Sequence, residues 1–535
     1  MKYTNIKSEL NTVAVSMLLG FSVFTTSCES NVLDLSPQNG MTEIEAYSTP
    51  ERCELAVLGA YDAAQCGYYE DGADWTRGYP FGAASIIQGE MRGEDMNLTA
   101  VFYDYTYSAT YTTATGNNKS MWETSFEAIN RYNIVMAGVE EAAKNGVITE
   151  EVKKQYLGEC LFLRALTYHN LMVHYALPYN VEGNNNYGMP LYLKAVTDAK
   201  SMEEQLKIGR SSVADTYSRI ITDLNDAEGY LPTAIKGYAI CRATKGAAIA
   251  LKTRVYLHVR DWSNVVTEAE KLISGEYKDL YELEKDPATP FTSFSNNKES
   301  IFSIANSSSD NGSVNGAMSS MMSPRTGGRA ICTSSPTLYN STYWEEDDKR
   351  RKLLYYRESD QYYFCDKYQS PTSMNEYAPI IRYAEVLLNE AEALARQDGD
   401  ANNKNKAIAK LNEVRNRSLA DATTQAYKAE NFTDTKALVE AILWERRIEF
   451  HGEGRRWEDI HRLAADDLCP SGGIPAKISY DEAKGKGVFV IDGTIDEKYF
   501  GVSAIPYTDK RFLWPIPIND LVRNETLAKQ QNAGW

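Results

Sequence analysis

The stretch 242–273, RATKGAAIALKTRVYLHVRDWSNVVTEAEKLI, decides how the chain folds. Ala248, Leu251, Val255 and Val259 recur at helical spacing, and Trp262, Val265, Val266, Ala269, Leu272 and Ile273 form a second apolar stripe. Only Arg260-Asp261 separates the two stripes, so the second helix must double back on the first. Ala247, Ala248 and Ala250 are small enough to let the two backbones approach closely. One such hairpin buries too little by itself, so the pattern predicts that hairpins stack side by side.

Other segments repeat the theme. In 376–418, EYAPIIRYAEVLLNEAEALARQDGDANNKNKAIAKLNEVRNRS, the run Ile380, Ala384, Leu387, Leu388, Ala391 and Leu394 precedes a break at Asp398-Gly399-Asp400. A second stripe of Ile408, Leu411, Val414 and Arg415 follows it. Leu157, Leu161, Ala165, Tyr168 and Met172 share another face, Ser212 with Asp215 reads as a helix start, and a first helix is expected around residues 51–64. The pairs look like tetratricopeptide hairpins without matching the full consensus. The predicted fold is mainly α: tetratricopeptide-like helix pairs form a scaffold over about 119–275 and 376–465. A large irregular region, 67–118 and 278–363, interrupts it. Residues 306–328, rich in Ser and Gly, are predicted to be a long loop, and long loops in compact domains are often functional.

The first 27 residues read as an export signal. Lys2 and Lys7 precede an apolar run from Val13 to Phe24, too short to cross a bilayer. Thr25-Thr26-Ser27-Cys28 resembles a loose bacterial lipobox, which makes Cys28 the expected lipidation site and residues 28–45 a tether. With 43% hydrophobic and 24% charged residues, the remainder (46–535) has the composition of a globular body and is read as one domain. A net charge of −17 without a basic stripe argues against nucleic acid as a partner. The seven cysteines after Cys28 are scattered with no C-x-x-C, so buried thiols are expected rather than a zinc site or a disulfide framework.

Catalytic signatures are missing. There is no G-x-S-x-G, no phosphate-binding glycine loop and no H-E-x-x-H, and Asp398 to Ala409 lacks the glycine and final glutamate of a calcium loop. No metal or cofactor is expected. His169, His174, His258, His451 and His461 are expected to be packing or surface residues. The charged segment ERRIEFHGEGRRWEDIHRL (445–463) is read as structural: Val439, Leu443, Arg446 and Phe450 share a stripe, and a buried guanidinium must find carboxylates. Arg446, Arg447, Arg455 and Arg456 are therefore expected to tie helices together. A pair of glycosidase carboxylates leaves no motif, so among 73 Asp and Glu that reading stays open.

Tyrosine is the informative excess, 36 against 15 Phe. Its flat apolar ring with a hydroxyl suits the C–H faces and hydroxyl rims of sugars. Two clusters stand in the irregular region: Tyr68, Tyr69, Asp74, Trp75, Arg77 and Tyr79, then Asp95 with Phe102, Tyr103, Tyr105, Tyr107 and Tyr111. Tyr103, Tyr105 and Tyr107 alternate, so an extended backbone would set three rings on one face. The predicted ligand-binding residues are Trp75, Arg77, Asp95, Tyr103, Tyr105, Tyr107 and Tyr111. Trp262 and Trp344 are expected to be structural.

Seven segments in order resemble the SusD/RagB family along most of the chain. They are GECLFLRALTYHNLMVHYALPY (158–179), RSSVADTYSRIITDL (210–224), RATKGAAIALKTRVYL (242–257), PIIRYAEVLLNEAEAL (379–394), LNEVRNRS (411–418), ERRIEFHGEGRRWEDIHRL (445–463) and LWPIPINDLVRNETLAKQQNAGW (513–535). The tail departs from the family at Glu525-Thr526, where a proline usually follows the asparagine. The resemblance implies a lipid-anchored protein of the outer membrane, facing outward, with four helix pairs. It implies that the protein passes oligosaccharide to a SusC-like TonB-dependent transporter without chemistry. It also implies that the N-terminal loops bind ligand together with loops from mid-chain, where Asn311, Asn315, Arg325 and Arg329 sit. The competing readings are oligopeptide capture on the same fold, as in the RagB branch, a secreted glycosidase, and a helical scaffold that binds only proteins.

Overall fold

The computed structural model describes residues 43–66, 77–181, 187–397 and 401–535. The signal, Cys28, most of the tether, Trp75 with its neighbours Tyr68, Tyr69 and Asp74, and the break at Asp398–Asp400 lie outside them.

Helices dominate, and the sheets among the described residues have two strands each. The scaffold helices are α1 (Pro50–Cys66), α2 (Ala83–Met91), α3 (Gly116–Lys144), α4 (Glu150–Tyr175), α5 (Val213–Tyr230), α6 (Lys245–His258), α7 (Trp262–Ile273), α8 (Tyr383–Arg396), α9 (Ala401–Asn416), α10 (Thr435–Glu449) and α11 (Arg455–Arg462). Neighbours in sequence pack against each other from α3 through α9, and α1 closes on α3. This is the predicted run of stacked hairpins, with the striped segments in helices, although Ile380 lies in the strand Ala378–Arg382 that leads into α8.

Side-chain caps start the helices where the sequence supplies them. Thr149 accepts from the Val152 N–H, Ser212 from Asp215, Thr244 from Ala247 and Asp434 from Ala437. In the α6–α7 hairpin, Ala247, Ala248 and Ala250 are buried, as close backbone approach requires. Arg260 takes a left-handed φ of 63°, and the Asp261 N–H closes the helix end on the Tyr256 carbonyl at 3.0 Å.

Short antiparallel pairings fasten the irregular regions to the scaffold. β1 (Met96–Leu98) pairs with β3 (Cys332–Ser334), Met96 opposite Ser334, and so joins the two loop-rich regions directly. β2 (Ser300–Ile304) pairs with β6 (Ala378–Arg382), which runs straight into α8. β4 (Leu354–Arg357) and β5 (Tyr362–Cys365) form a hairpin.

Two expectations are corrected here. Residues 306–328 are not one long loop: short helices at Ser313–Gly316 and Met318–Met322 interrupt it, and Met318, Met321 and Met322 are buried. The methionines supply apolar area that a Ser/Gly count conceals. The segment 101–107 is also not extended. It forms a 3-10 turn at Val101–Tyr103 continuing into a helical turn at Asp104–Tyr107, so alternate tyrosines do not share a face.

The four arginines of 445–463 expected to tie helices together all find carboxylates, but of these only Arg446 ties one helix to another. Arg455 pairs within α11, and Arg447 and Arg456 reach the loop after α2. Arg446 meets Asp459 at 2.9 Å, Arg447 meets Asp95, Arg455 meets Glu458, and Arg456 meets Glu94 at 2.6 Å. Behind them Arg382 donates to Glu449 at 2.8 Å, to Glu453 at 2.9 Å and to Glu299, with Arg417, Arg350 and Lys367 around the same carboxylates. All of these groups are buried or nearly so.

Candidate functional site

The β1–β3 pairing places the 101–107 turn beside residues 315–330. The Thr99 N–H donates to the Ile331 carbonyl at 3.0 Å, and its hydroxyl donates to the Ala330 carbonyl. From below, Lys477 donates to the carbonyls of Met91 and Tyr107 at 2.6 and 2.7 Å. Burial, with Arg92 nearby, lowers its pKa to about 7.

Phe102 stands at the centre of the surface so formed. The Arg77 guanidinium lies 5.5 Å from its ring centroid and that of Arg329 lies 4.9 Å away, both within cation–π range. Arg329 also donates to the Asn315 amide oxygen, and Arg77 reaches Asn117 at 3.5 Å. Arg329 is exposed and Phe102 half-buried, so the guanidiniums, the ring edge and the amide meet solvent together.

A tight turn spaces the two mid-chain arginines. The Gly328 N–H closes on the Arg325 carbonyl at 2.8 Å, and Gly327 sits at φ +95°, a conformation that favours glycine. On the near side of this turn, Arg325 forks onto Asp366 at 2.7 and 2.9 Å, and that pairing raises its pKa. Its guanidinium lies 5.8 Å from the Tyr355 ring, which β4 presents to solvent. Tyr356, next along β4 and also exposed, lies against Tyr363 at 4.9 Å, and Tyr363 stacks on Tyr339 at 4.6 Å. The turn at 101–107 also walls a groove of about 280 Å³, lined by Leu98, Val101, Asp104, Tyr107 and Tyr480 among others.

The predicted site residues divide sharply. Arg77 is at the surface cluster, and Tyr105, 56% exposed, projects from the adjoining turn. Asp95 is internal: it is 1% exposed, and Arg447 holds both of its oxygens at 3.1 Å. Its neighbour Glu94 is held down at about 2 by Arg447 and Arg456 against the opposing effect of burial. Tyr103 and Tyr111 are buried, Tyr111 donating to the Arg511 carbonyl. Tyr107 is buried, donates to the Ile478 carbonyl and keeps only a small exposed area where it lines the 280 Å³ groove. Helical winding explains the division, because residues 103 and 107 share one face and turn it inward. Of the mid-chain set, Asn315 and Arg329 reach the cluster, whereas Arg325 is held on Asp366 beside Tyr355 and Asn311 bonds locally to Ser307 and Ser313. Phe102 as the central ring, with Tyr355 and Tyr356, was not among the predicted ligand residues. The period-two pattern LYYR opposite YYFC was the available signal.

The histidines are buried, and burial lowers the pKa of each, so the rings are neutral. His461 and His451 meet Ala176 and Ser334, and the His169 and His258 rings lie 4.6 Å apart. Among the described residues no group of His, Cys, Asp and Glu could hold a metal ion. No helix there is long and apolar enough to cross a membrane.

Residues 342–535 match the model of the SusD family, and residues 80–257 match one described as starch-binding associating with outer membrane. The chain belongs to the SusD/RagB family. SusD-like protein P38 of Formosa agariphila is 23% identical over 86% of this chain and 94% of its own length. A SusD superfamily protein from Bacteroides fragilis superposes with a TM-score of 0.72 at 26% identity, covering 90% of this chain and 99% of that one. Surface glycan-binding protein A from Bacteroides thetaiotaomicron, solved with laminarihexaose, gives 0.66 at 18% identity, with 90% and 99% covered. The fold is thus that of SusD/RagB surface glycan-binding proteins, mainly helical with tetratricopeptide-like pairs.

Proposed function

We propose that this protein captures oligosaccharide outside the cell and hands it to a SusC-like TonB-dependent transporter, performing no chemistry itself. Lipid on Cys28 anchors it to the outer membrane, facing outward. The binding surface is centred on Phe102 with Arg77, Arg329, Asn315 and Tyr105, and it extends over the Arg325 turn to Tyr355. Trp75, outside the described residues, is proposed as a further ligand-binding residue.

The observation that carries this reading is Phe102 within cation–π range of two guanidiniums at a solvent-facing junction of both loop-rich regions. Rings offer stacking faces to sugar C–H groups, while guanidinium and amide groups donate to hydroxyls. The surface is shallow, and each polar contact nets only about 1 kcal/mol, so release stays easy. The laminarihexaose complex of a protein with the same fold supports the ligand class.

Affinity electrophoresis and calorimetry with laminarihexaose and maltohexaose test it. Retention by the parent protein, weakened in Phe102→Ala and Arg329→Ala, is the expected result. Equal retention in all three removes the site, and shortening of the glycan during incubation removes the non-catalytic reading. Binding of mixed oligopeptides with no glycan retained would move the function to peptide capture.

A further inference from the structure

On the helical scaffold lies a groove of about 610 Å³ that shares no residue with the Phe102 surface. Its size falls within the range of small-molecule sites. Helix α5 contributes Tyr217, Ser218 and Thr222, the α6–α7 hairpin contributes Tyr256 and Arg260, and Tyr179 closes one side. Ser218 and Thr222 are exposed and four residues apart, so they share one face of α5, next to the buried face that carries Tyr217, and the Thr222 hydroxyl donates to the Ser218 carbonyl at 2.8 Å.

Three features give the groove its chemistry. Tyr179 and Tyr217 meet edge-on, their centroids 5.7 Å apart at 81°, forming an angled aromatic wall. Tyr217 is 2% exposed and lines the groove, yet its hydroxyl has no hydrogen-bond partner among the described residues. Of the charged lining residues, Arg260 is already paired with Asp466 at 2.5 Å and with Asp467, and Asp261 is engaged in capping α7, accepting from the Asn264 N–H at 3.1 Å. The rim is also fixed in place. Arg260 holds its left-handed backbone, costing about 1–2 kcal/mol for a residue with a Cβ, while its side chain is clamped by those carboxylates.

We infer that this groove is a second carbohydrate subsite, taking a pyranose unit of an uncharged oligosaccharide. Ring faces match sugar C–H surfaces, and the hydroxyls of Tyr217, Ser218 and Thr222 match a hydroxyl rim. A phosphate or peptide carboxylate would find Arg260 already occupied. The inference rests on the glycan-binding reading above but on different residues, so each can fail separately.

Hydrogen exchange of the whole chain with laminarihexaose, maltohexaose or xylohexaose at saturating concentration provides the test. A bound hexaose is expected to slow exchange in 213–222 and 256–263 as well as in 98–107. Ser218→Trp fills the groove from an exposed position and should abolish the first protection while leaving the second. Thr222→Trp serves if the circular dichroism of Ser218→Trp departs from the parent. Protection confined to 98–107, unchanged by either tryptophan, overturns the second subsite and leaves the first standing. Protection of the groove alone sustains this inference and removes the Phe102 site, whereas no protection by any hexaose overturns both.

Discussion

Arginine does opposite work in two regions of this molecule. Around Arg382, guanidiniums meet Glu299, Glu449 and Glu453 in an interior where every group is buried. Around Phe102, Arg77 and Arg329 lie on a ring at the surface, with an amide instead of a carboxylate beside Arg329. Saturated pairing makes the first region a joint between α10, α11 and β6, with little left to offer a ligand. The second keeps donors facing solvent. The side-chain chemistry is common to both, and the partner each guanidinium meets, carboxylates around Arg382 and an amide and a ring at Arg329, separates them.

The contrast can be broken first by removing its interior anchor. Arg382→Met leaves three buried carboxylates facing each other and should cost about 3–5 kcal/mol in urea unfolding. A loss below about 1 kcal/mol would mean that the network is not a structural joint.

A pH series sharpens the same region. Glu385, held at about 2 mainly by Arg254 against the effect of burial, gives stability that is present above its unfolded pKa and lost as pH falls toward 2. Glu90 is the exception. Burial and then Asp95 raise it to about 8, and its second oxygen has no partner. Its contribution is full below about 4.5 and disappears as pH rises toward 8, because the native state must keep a proton that the unfolded chain releases. Glu90→Gln should therefore flatten the decline in stability between those pH values, as melting temperatures would show. An unchanged slope would assign the decline elsewhere.

At the surface, effects should move from stability to binding. Phe102→Ala removes the ring beneath both guanidiniums and is expected to weaken hexaose binding about tenfold, roughly 1.4 kcal/mol, with a folding cost near 1 kcal/mol. Tyr105→Ala should weaken it about fivefold at most, the worth of one polar contact, and leave the unfolding midpoint in place. A large stability loss in either variant would show that the surface resembles the interior after all.

Much of the scaffold was legible because helical periodicity is local. The α6–α7 and α8–α9 pairs, the Ser212 start and the structural role of Arg446 follow from residues within a few turns of each other. The candidate site was legible only in part. Arg77 and the mid-chain arginines point to it, but Asp95 reads as an accessible acid until Arg447, 352 positions away, closes on it. Likewise Tyr103 and Tyr107 look like a display of rings until the turn winds and buries them.

What the sequence determined by itself is the hairpin scaffold and its small-residue contacts, since stripes and caps depend on neighbours along the chain. Only the tertiary structure decided which rings and arginines reach solvent. That outcome depends on β1 meeting β3 and on which distant carboxylate each guanidinium finds, and no local spacing encodes either.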